Sequence, residues 1–146
     1  MTDQPILIDM KPIDDVGDES YANVLPLLFE VRHALEEFQH SANNTTVDLR
    51  RIPMTPNDEE YLEEILGIGE VSIEINTLGK TRIRETKFPG VWHIVHYNAD
   101  DEITGKYVSV AAIPDLVMTQ PEDAARGLRA LIQETDALAR EQELRL

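Results

Sequence analysis

The residues best suited to metal chemistry lie on one predicted helix. Glu30 and His33 are three residues apart, and Glu37 and His40 repeat that spacing seven residues later. Two such units, taken from different helices and joined by further carboxylates, hold two iron ions in four-helix bundles. Here both units lie on the same helix, about 10 Å apart, so that helix alone cannot enclose two ions. The spacing leaves two alternatives, a metal site that uses His33, Glu37 and His40 or a solvated polar helix face.

Other patterns that carry chemistry are missing from the sequence. His93 and His96 are three apart in a predicted strand, which points them to opposite faces and prevents them from binding one ion together. The chain has no cysteine, which excludes thiolate zinc sites and cysteine-ligated iron-sulfur clusters. The glycines at 67 and 69 precede a strand, whereas a phosphate loop precedes a helix. We therefore expect neither an enzyme nor a bound cofactor.

The charge of the chain is strongly negative and unevenly placed. The net charge is −15, with 16 acidic and 4 basic residues in 1–70 and 12 acidic and 9 basic residues in 71–146. Such a field repels nucleic acid and attracts a basic protein segment. We therefore expect no nucleic-acid partner. Two alternatives remain for the acidic half, which either attracts a basic partner or only keeps the protein in solution.

The length and the ends of the chain indicate one domain. At 146 residues, 42% of them hydrophobic, the chain can bury a core of its own. Its first residues lack the basic and apolar regions of a leader, and no apolar run reaches membrane-spanning length. We expect a cytoplasmic protein without membrane insertion, with an extended, partly mobile acidic arm over 1–20 and a single domain over 21–146.

Three segments have the features of helices. The first, over about 20–44, repeats apolar residues at steps of four and three: Val24, Leu28, Val31, Leu35 and Phe38. The second, over about 55–66, begins with Thr as a cap and Pro at the first helical position. The third, over about 119–141, begins with the spacing of a capping box.

Four segments between the second and third helices predict strands. Val71, Ile73 and Ile75 alternate with polar residues, which is typical of a half-buried strand, and a second alternating run follows at about 82–86. More apolar runs at 91–97 and 107–113 predict two further strands. The segment 46–53 is predicted only as a short extended piece. The order favours an α+β fold, in which two N-terminal helices and one C-terminal helix pack on an antiparallel meander of about four strands.

The turn between the second and third predicted strands carries the only tryptophan of the chain. It reads Phe88-Pro89-Gly90, followed by Val91 and Trp92. Trp92 is either a core residue or an exposed anchor, because aromatic side chains dominate both cores and interfaces. We predict a partner-binding site at this turn, made of Glu85, Phe88, Pro89, Gly90, Val91 and Trp92.

Five segments of the chain resemble the HupH/HyaF type of hydrogenase expression/formation protein, in its C-terminal-type domain. They lie at 27–35, 46–50, 69–72, 85–92 and 112–114. The most specific pair is Gly-Glu-Val-Ser at 69–72 with Glu-Thr-Lys-Phe-Pro-Gly-Val-Trp at 85–92. The resemblance covers the chain from about residue 25 to 114, in the order of the family.

The resemblance implies a non-enzymatic accessory role, as chaperone or scaffold, in the expression and maturation of a nickel-iron uptake hydrogenase. The implied partners are the small iron-sulfur subunit or other maturation proteins. Family members are often about twice as long, with two related units, which leaves two alternatives for a chain with one unit: it pairs with itself as a homodimer, or it is a relative with a different client. Two alternatives remain: a metal-binding protein that uses the His/Glu face of the first helix, and an acidic adaptor for another assembly.

Overall fold

The computed structural model describes residues 21–145, so the predicted arm over 1–20 lies outside the described residues. The chain divides into two compact units, one ending at Ala112 and the other beginning at Ile113. No helix in the described part is long and apolar enough to cross a membrane.

Over residues 21–112 the first unit contains two α-helices, one short 3-10 helix and five strands. In chain order they are α1 (Val24–Ser41), β1 (Thr45–Asp48), a short 3-10 helix (Leu49–Arg51), α2 (Pro56–Leu66), β2 (Ser72–Asn76), β3 (Lys80–Glu85), β4 (Val91–Tyr97) and β5 (Ile103–Val110). The strands form one antiparallel sheet in the order β1-β5-β4-β3-β2. The predicted α+β class and antiparallel meander are confirmed.

The fifth strand, β1, is the segment that the sequence indicated only as an extended piece. It pairs with β5, with Val47 opposite Val108. Four residues are too few to show a clear alternation, and the partner strand lies far along the chain, so no local signal identifies this strand.

The start of α2 is fixed by a reciprocal cap. The Thr55 hydroxyl accepts from the Asp58 amide at 3.1 Å, and the Asp58 carboxylate accepts from the Thr55 amide at 3.0 Å. These two bonds satisfy amides that have no partner inside the helix, and Pro56 has no amide hydrogen to satisfy. The predicted cap is therefore confirmed.

The core of the first unit lies between the two helices and one face of the sheet. Leu62 and Leu66 of α2 and Val91 of β4 belong to it. On α1 the buried side chains are Val24, Leu27, Val31 and Ala34. The buried stripe is therefore rotated from the predicted one, because Leu28, Leu35 and Phe38 are only partly buried at its edge.

The second unit consists of a 3-10 helix (Asp115–Val117) and α3 (Pro121–Arg145). No residue of α3 is buried, and four large apolar side chains on it are 48–60% exposed: Leu128, Leu131, Ile132 and Leu138. The packing of α3 on the sheet stays a prediction, because α3 and the sheet belong to two different compact units.

Candidate functional site

The turn over 86–90, between β3 and β4, is closed by a buried hydroxyl. The Thr86 side chain is 1% exposed, and its hydroxyl donates to the Val91 carbonyl at 2.9 Å and accepts from the Phe88 amide at 3.2 Å. The Thr86 amide also donates to the Val91 carbonyl, and the Val91 amide donates to the Phe88 carbonyl at 3.0 Å. This network fixes the backbone of the turn, since buried polar groups are costly when unpaired.

The same turn is bonded to elements on both sides of it. The Lys87 amide donates to the carbonyl of Leu66, the last residue of α2, at 2.7 Å, and the Ala111 amide donates to the Gly90 carbonyl at 3.0 Å. Gly90 has φ +92, and a Cβ added there would lie 3.2 Å from Cδ1 of Leu35 on α1. A residue with a side chain would therefore be strained at this φ, and its Cβ would in addition require a small shift of Leu35.

Trp92 is buried on the sheet face opposite the one that carries Val91 and the helix-covered core. Its side chain is 4% exposed, and its Nε1 donates to the Ala111 carbonyl at 2.9 Å. Val91 beside it is 1% exposed. Of the two alternatives for Trp92, burial and a satisfied indole fit the core residue.

The part of the turn that a partner can reach is Phe88 with its neighbours. Phe88 is 40% exposed, Pro89 is exposed, and Glu85 is half-buried. The Lys87 ammonium lies 5.3 Å from the centre of the Phe88 ring, within the range of a cation–π contact. The sequence prediction left Lys87 out, although it lies within the matched segment. Partner binding through this turn stays a prediction, with Phe88 as its apolar centre.

The histidines on α1 do not form a cluster of metal ligands. His33 Nε2 lies 3.5 Å from the Glu37 carboxylate, one helical turn away, with both side chains exposed. Among the described residues, no three histidine, cysteine, aspartate or glutamate side chains are grouped so that they could hold a metal ion. His40 therefore does not complete a site with His33 and Glu37. His93 and His96 lie on opposite faces of the sheet, and His96 Nδ1 contacts the Thr81 hydroxyl at 2.8 Å.

A cavity of about 220 Å³ lies between the C-terminal end of α2 and the sheet. Its polar lining comes from one glutamate of α2 and four residues of β3 and β4: Glu63, Arg82, Arg84, His93 and Tyr97. Burial lowers the pKa of His93 from its ordinary value of 6.5, nearby Lys106 and Arg84 lower it further, and Glu63 opposes them. The sequence prediction missed this cavity, although the alternation of the two arginines on β3 placed them on one face.

The chain is similar to proteins of hydrogenase expression and formation. Residues 21–138 match the protein family described as "HupH hydrogenase expression protein, C-terminal conserved region". The chain is 30% identical over 118 residues to the hydrogenase expression/formation protein HoxQ of Azotobacter vinelandii, covering 80% of this chain and 42% of that protein. It is 29% identical over 101 residues to HupH of Rhizobium leguminosarum bv. viciae, covering 69% and 36%. The chain spans about two fifths of the length of the curated relatives it matches.

A solved structure supports the same relationship. The hydrogenase expression protein HupH from Thiobacillus denitrificans ATCC 25259 is similar with a TM-score of 0.76 and 38% sequence identity. The similarity covers 79% of this chain and 96% of that one. The resemblance inferred from the five sequence segments is confirmed.

Replacing Thr86 by Val should destabilise the protein by about 1–3 kcal/mol, because the Phe88 amide loses its buried acceptor at nearly constant side-chain volume. Urea unfolding followed by Trp92 fluorescence measures the change. Thr86→Ser is the matched control, which keeps the hydroxyl and loses only a methyl group. Hydrogen exchange at the Phe88 amide should accelerate in the Val variant alone, and a Val variant with unchanged stability and exchange would contradict the role of the hydroxyl.

The free energy of unfolding should decrease as the pH falls below about 6.5. Because the pKa of His93 is lowered in the folded protein, the unfolded chain binds more protons in that range. The contribution of one such group cannot exceed about 1.4 kcal/mol per pH unit. His93→Gln should remove this part of the pH dependence, measured by urea unfolding at a series of pH values, whereas His40→Gln, at an exposed position, should leave it. Equal curves for the wild type and His93→Gln would refute the assignment.

Proposed function

Because the chain belongs to the family of HupH hydrogenase expression proteins, we propose that it is a non-enzymatic accessory protein in the maturation of a nickel-iron uptake hydrogenase. The family match over 21–138 and the names of the relatives support this role. The chain would act as a chaperone or scaffold that holds a hydrogenase component, and its place of action would be the cytoplasm, before export of the hydrogenase.

The proposed client is the small, iron-sulfur-bearing subunit. This chain has no cysteine, so it cannot supply thiolate ligands to a cluster. Its contribution must therefore be contact with the polypeptide of the client. Other maturation proteins of the hydrogenase remain the second class of partner for the same surface.

The observation that carries the proposed contact is the exposed Phe88 on a fixed turn. The backbone on both sides of Phe88 is held by the Thr86 hydroxyl and by the bond from Lys87 to Leu66. A partner that covers the ring would thus lose little entropy in ordering it, which favours binding through a small surface. Pro89 and the stem of Lys87 extend the same surface.

The acidic helices offer a second element of recognition. Exposed carboxylates project from α1 and α2 of the first unit: Glu30, Glu36, Glu37, Glu60, Glu63 and Glu64. A field of this sign accelerates encounter with a basic segment and adds little to affinity once the charges are hydrated and screened. We propose that the acidic helices attract the client and that the Phe88 turn holds it once it is bound.

Replacing Phe88 by Ala should reduce recovery of a hydrogenase subunit with the protein by about tenfold or more, because the ring is the apolar centre of the contact. The measurement is affinity purification from the native host grown under hydrogenase-inducing conditions, with quantitative mass spectrometry. Leu78→Ala is the matched control, since Leu78 is 93% exposed in the turn between β2 and β3. Urea unfolding of both variants establishes that they are folded.

Two results would contradict parts of this proposal. Recovery of hydrogenase components that Phe88→Ala leaves unchanged would refute the turn as the contact and leave the accessory role in place. Recovery of other specific partners without any hydrogenase component would favour the acidic adaptor over the maturation role.

We propose that the chain associates with a second copy through the exposed apolar side chains of α3, which are Leu128, Leu131, Ile132 and Leu138. A two-fold pair uses the same surface on both copies, and the exposed leucines and isoleucine of α3 could pack against their own counterparts. We expect sedimentation velocity of the purified chain to give a dimer and Leu131→Glu to give a monomer. Arg129→Glu, two residues away on the same helix, should leave the dimer intact, and a monomeric wild type would refute the pairing.

A further inference from the structure

Two arginines on β3 share one sheet face with the lining of the cavity beside α2. Arg82 lies opposite Val95 and Arg84 lies opposite His93 in the register of β3 and β4. Since residues two apart on a strand point to the same side, these four side chains form one patch under the C-terminal end of α2.

Within residues 21–145 neither arginine forms an ion pair with a carboxylate, although Glu63 lines the same cavity. Glu74 lies opposite Arg82 in the register of β2 and β3, but its carboxylate contacts Lys80 at 3.2 Å. Lys106, beside Val95 on β5, is paired with a glutamate of α2 at 3.2 Å. In a chain with 28 acidic and 13 basic residues, two adjacent guanidinium groups without an ion pair are unexpected.

The remaining lining of the cavity limits the kind of anion that fits. Leu66, Val95 and Ile68 supply apolar walls, and Ile68 is 77% exposed, so a ligand could cover it. Glu63 also lines the cavity and disfavours a ligand with two negative charges, such as a phosphate dianion. A guanidinium group binds a carboxylate with two parallel hydrogen bonds, which matches a single negative charge.

We propose that this cavity binds a carboxylate attached to a short apolar group, with Arg82 and Arg84 as the anion-binding residues. The ligand is either a small carboxylic acid or the C-terminal residue of a peptide, which share this chemistry. Leu66, Ile68 and Val95 contact the apolar group, and His93 and Tyr97 offer further hydrogen-bonding groups. The proposal goes beyond the accessory role and does not depend on the identity of the client.

The test uses N-acetyl-leucine as the probe and nitrogen-15 NMR of the full chain as the readout. We expect shifts of the amides of β3 and β4 around Arg84 and His93, and an affinity at least about tenfold weaker in the double variant R82Q/R84Q, because charge-assisted hydrogen bonds are lost. Arg50→Gln removes one exposed arginine from the 3-10 helix and should leave the affinity unchanged. Urea unfolding of each variant establishes that it is folded.

Chemical variants of the probe complete the test. N-acetyl-leucinamide lacks the carboxylate and should not bind, and inorganic phosphate should bind more weakly than N-acetyl-leucine. Tighter binding of a short peptide ending in leucine would identify a chain terminus as the ligand, and equal binding would identify a small acid. The proposal is wrong if these amides do not shift, if the leucinamide binds as well, if phosphate binds more tightly, or if Arg50→Gln weakens binding as much as the double variant.

Discussion

The structure of the first unit depends on the closure of the 86–90 turn by the buried Thr86 hydroxyl. That one side chain bonds both the carbonyl of Val91 and the amide of Phe88. The turn it fixes is bonded in addition to the end of α2 and to the residue after β5. The turn therefore connects β3 and β4 with the end of α2 and with the residue after β5, and a loosened turn would affect all of them.

This constraint separates the roles of two neighbouring aromatic residues. Trp92 is on the strand side of the turn, where its indole is buried and bonded to Ala111. Phe88 is at the tip, where the backbone is held but the ring is partly exposed. The hydrogen bonds that fix the turn therefore position both rings. The proposed contact with a partner and the stability of the fold depend on the same hydrogen bonds. The cavity beside α2 adjoins this region, because Leu66 both lines it and accepts from Lys87.

Much of this arrangement follows from local patterns in the sequence. Alternation predicts β2 and β3, the Thr55 cap predicts the start of α2, and the matched segments predict the family. The sequence does not predict β1, whose pairing is with a distant strand, nor the rotation of the buried stripe of α1 toward Leu27 and Ala34. It also leaves Trp92 undecided, because composition cannot tell a buried indole from an exposed one. The cavity with Arg82 and Arg84 depends on which carboxylates pair elsewhere, which is a property of the folded chain.

The most direct test of the central claim is hydrogen exchange of the protein with and without the purified small subunit of the hydrogenase. We expect the amides of Lys87, Phe88 and Gly90 to become more protected when the subunit is present, since the partner covers the ring of Phe88 and the backbone beside it. Complex formation with unchanged exchange at 87–90 and protection elsewhere would contradict the turn as the contact. Absence of complex formation would contradict the small subunit as the client.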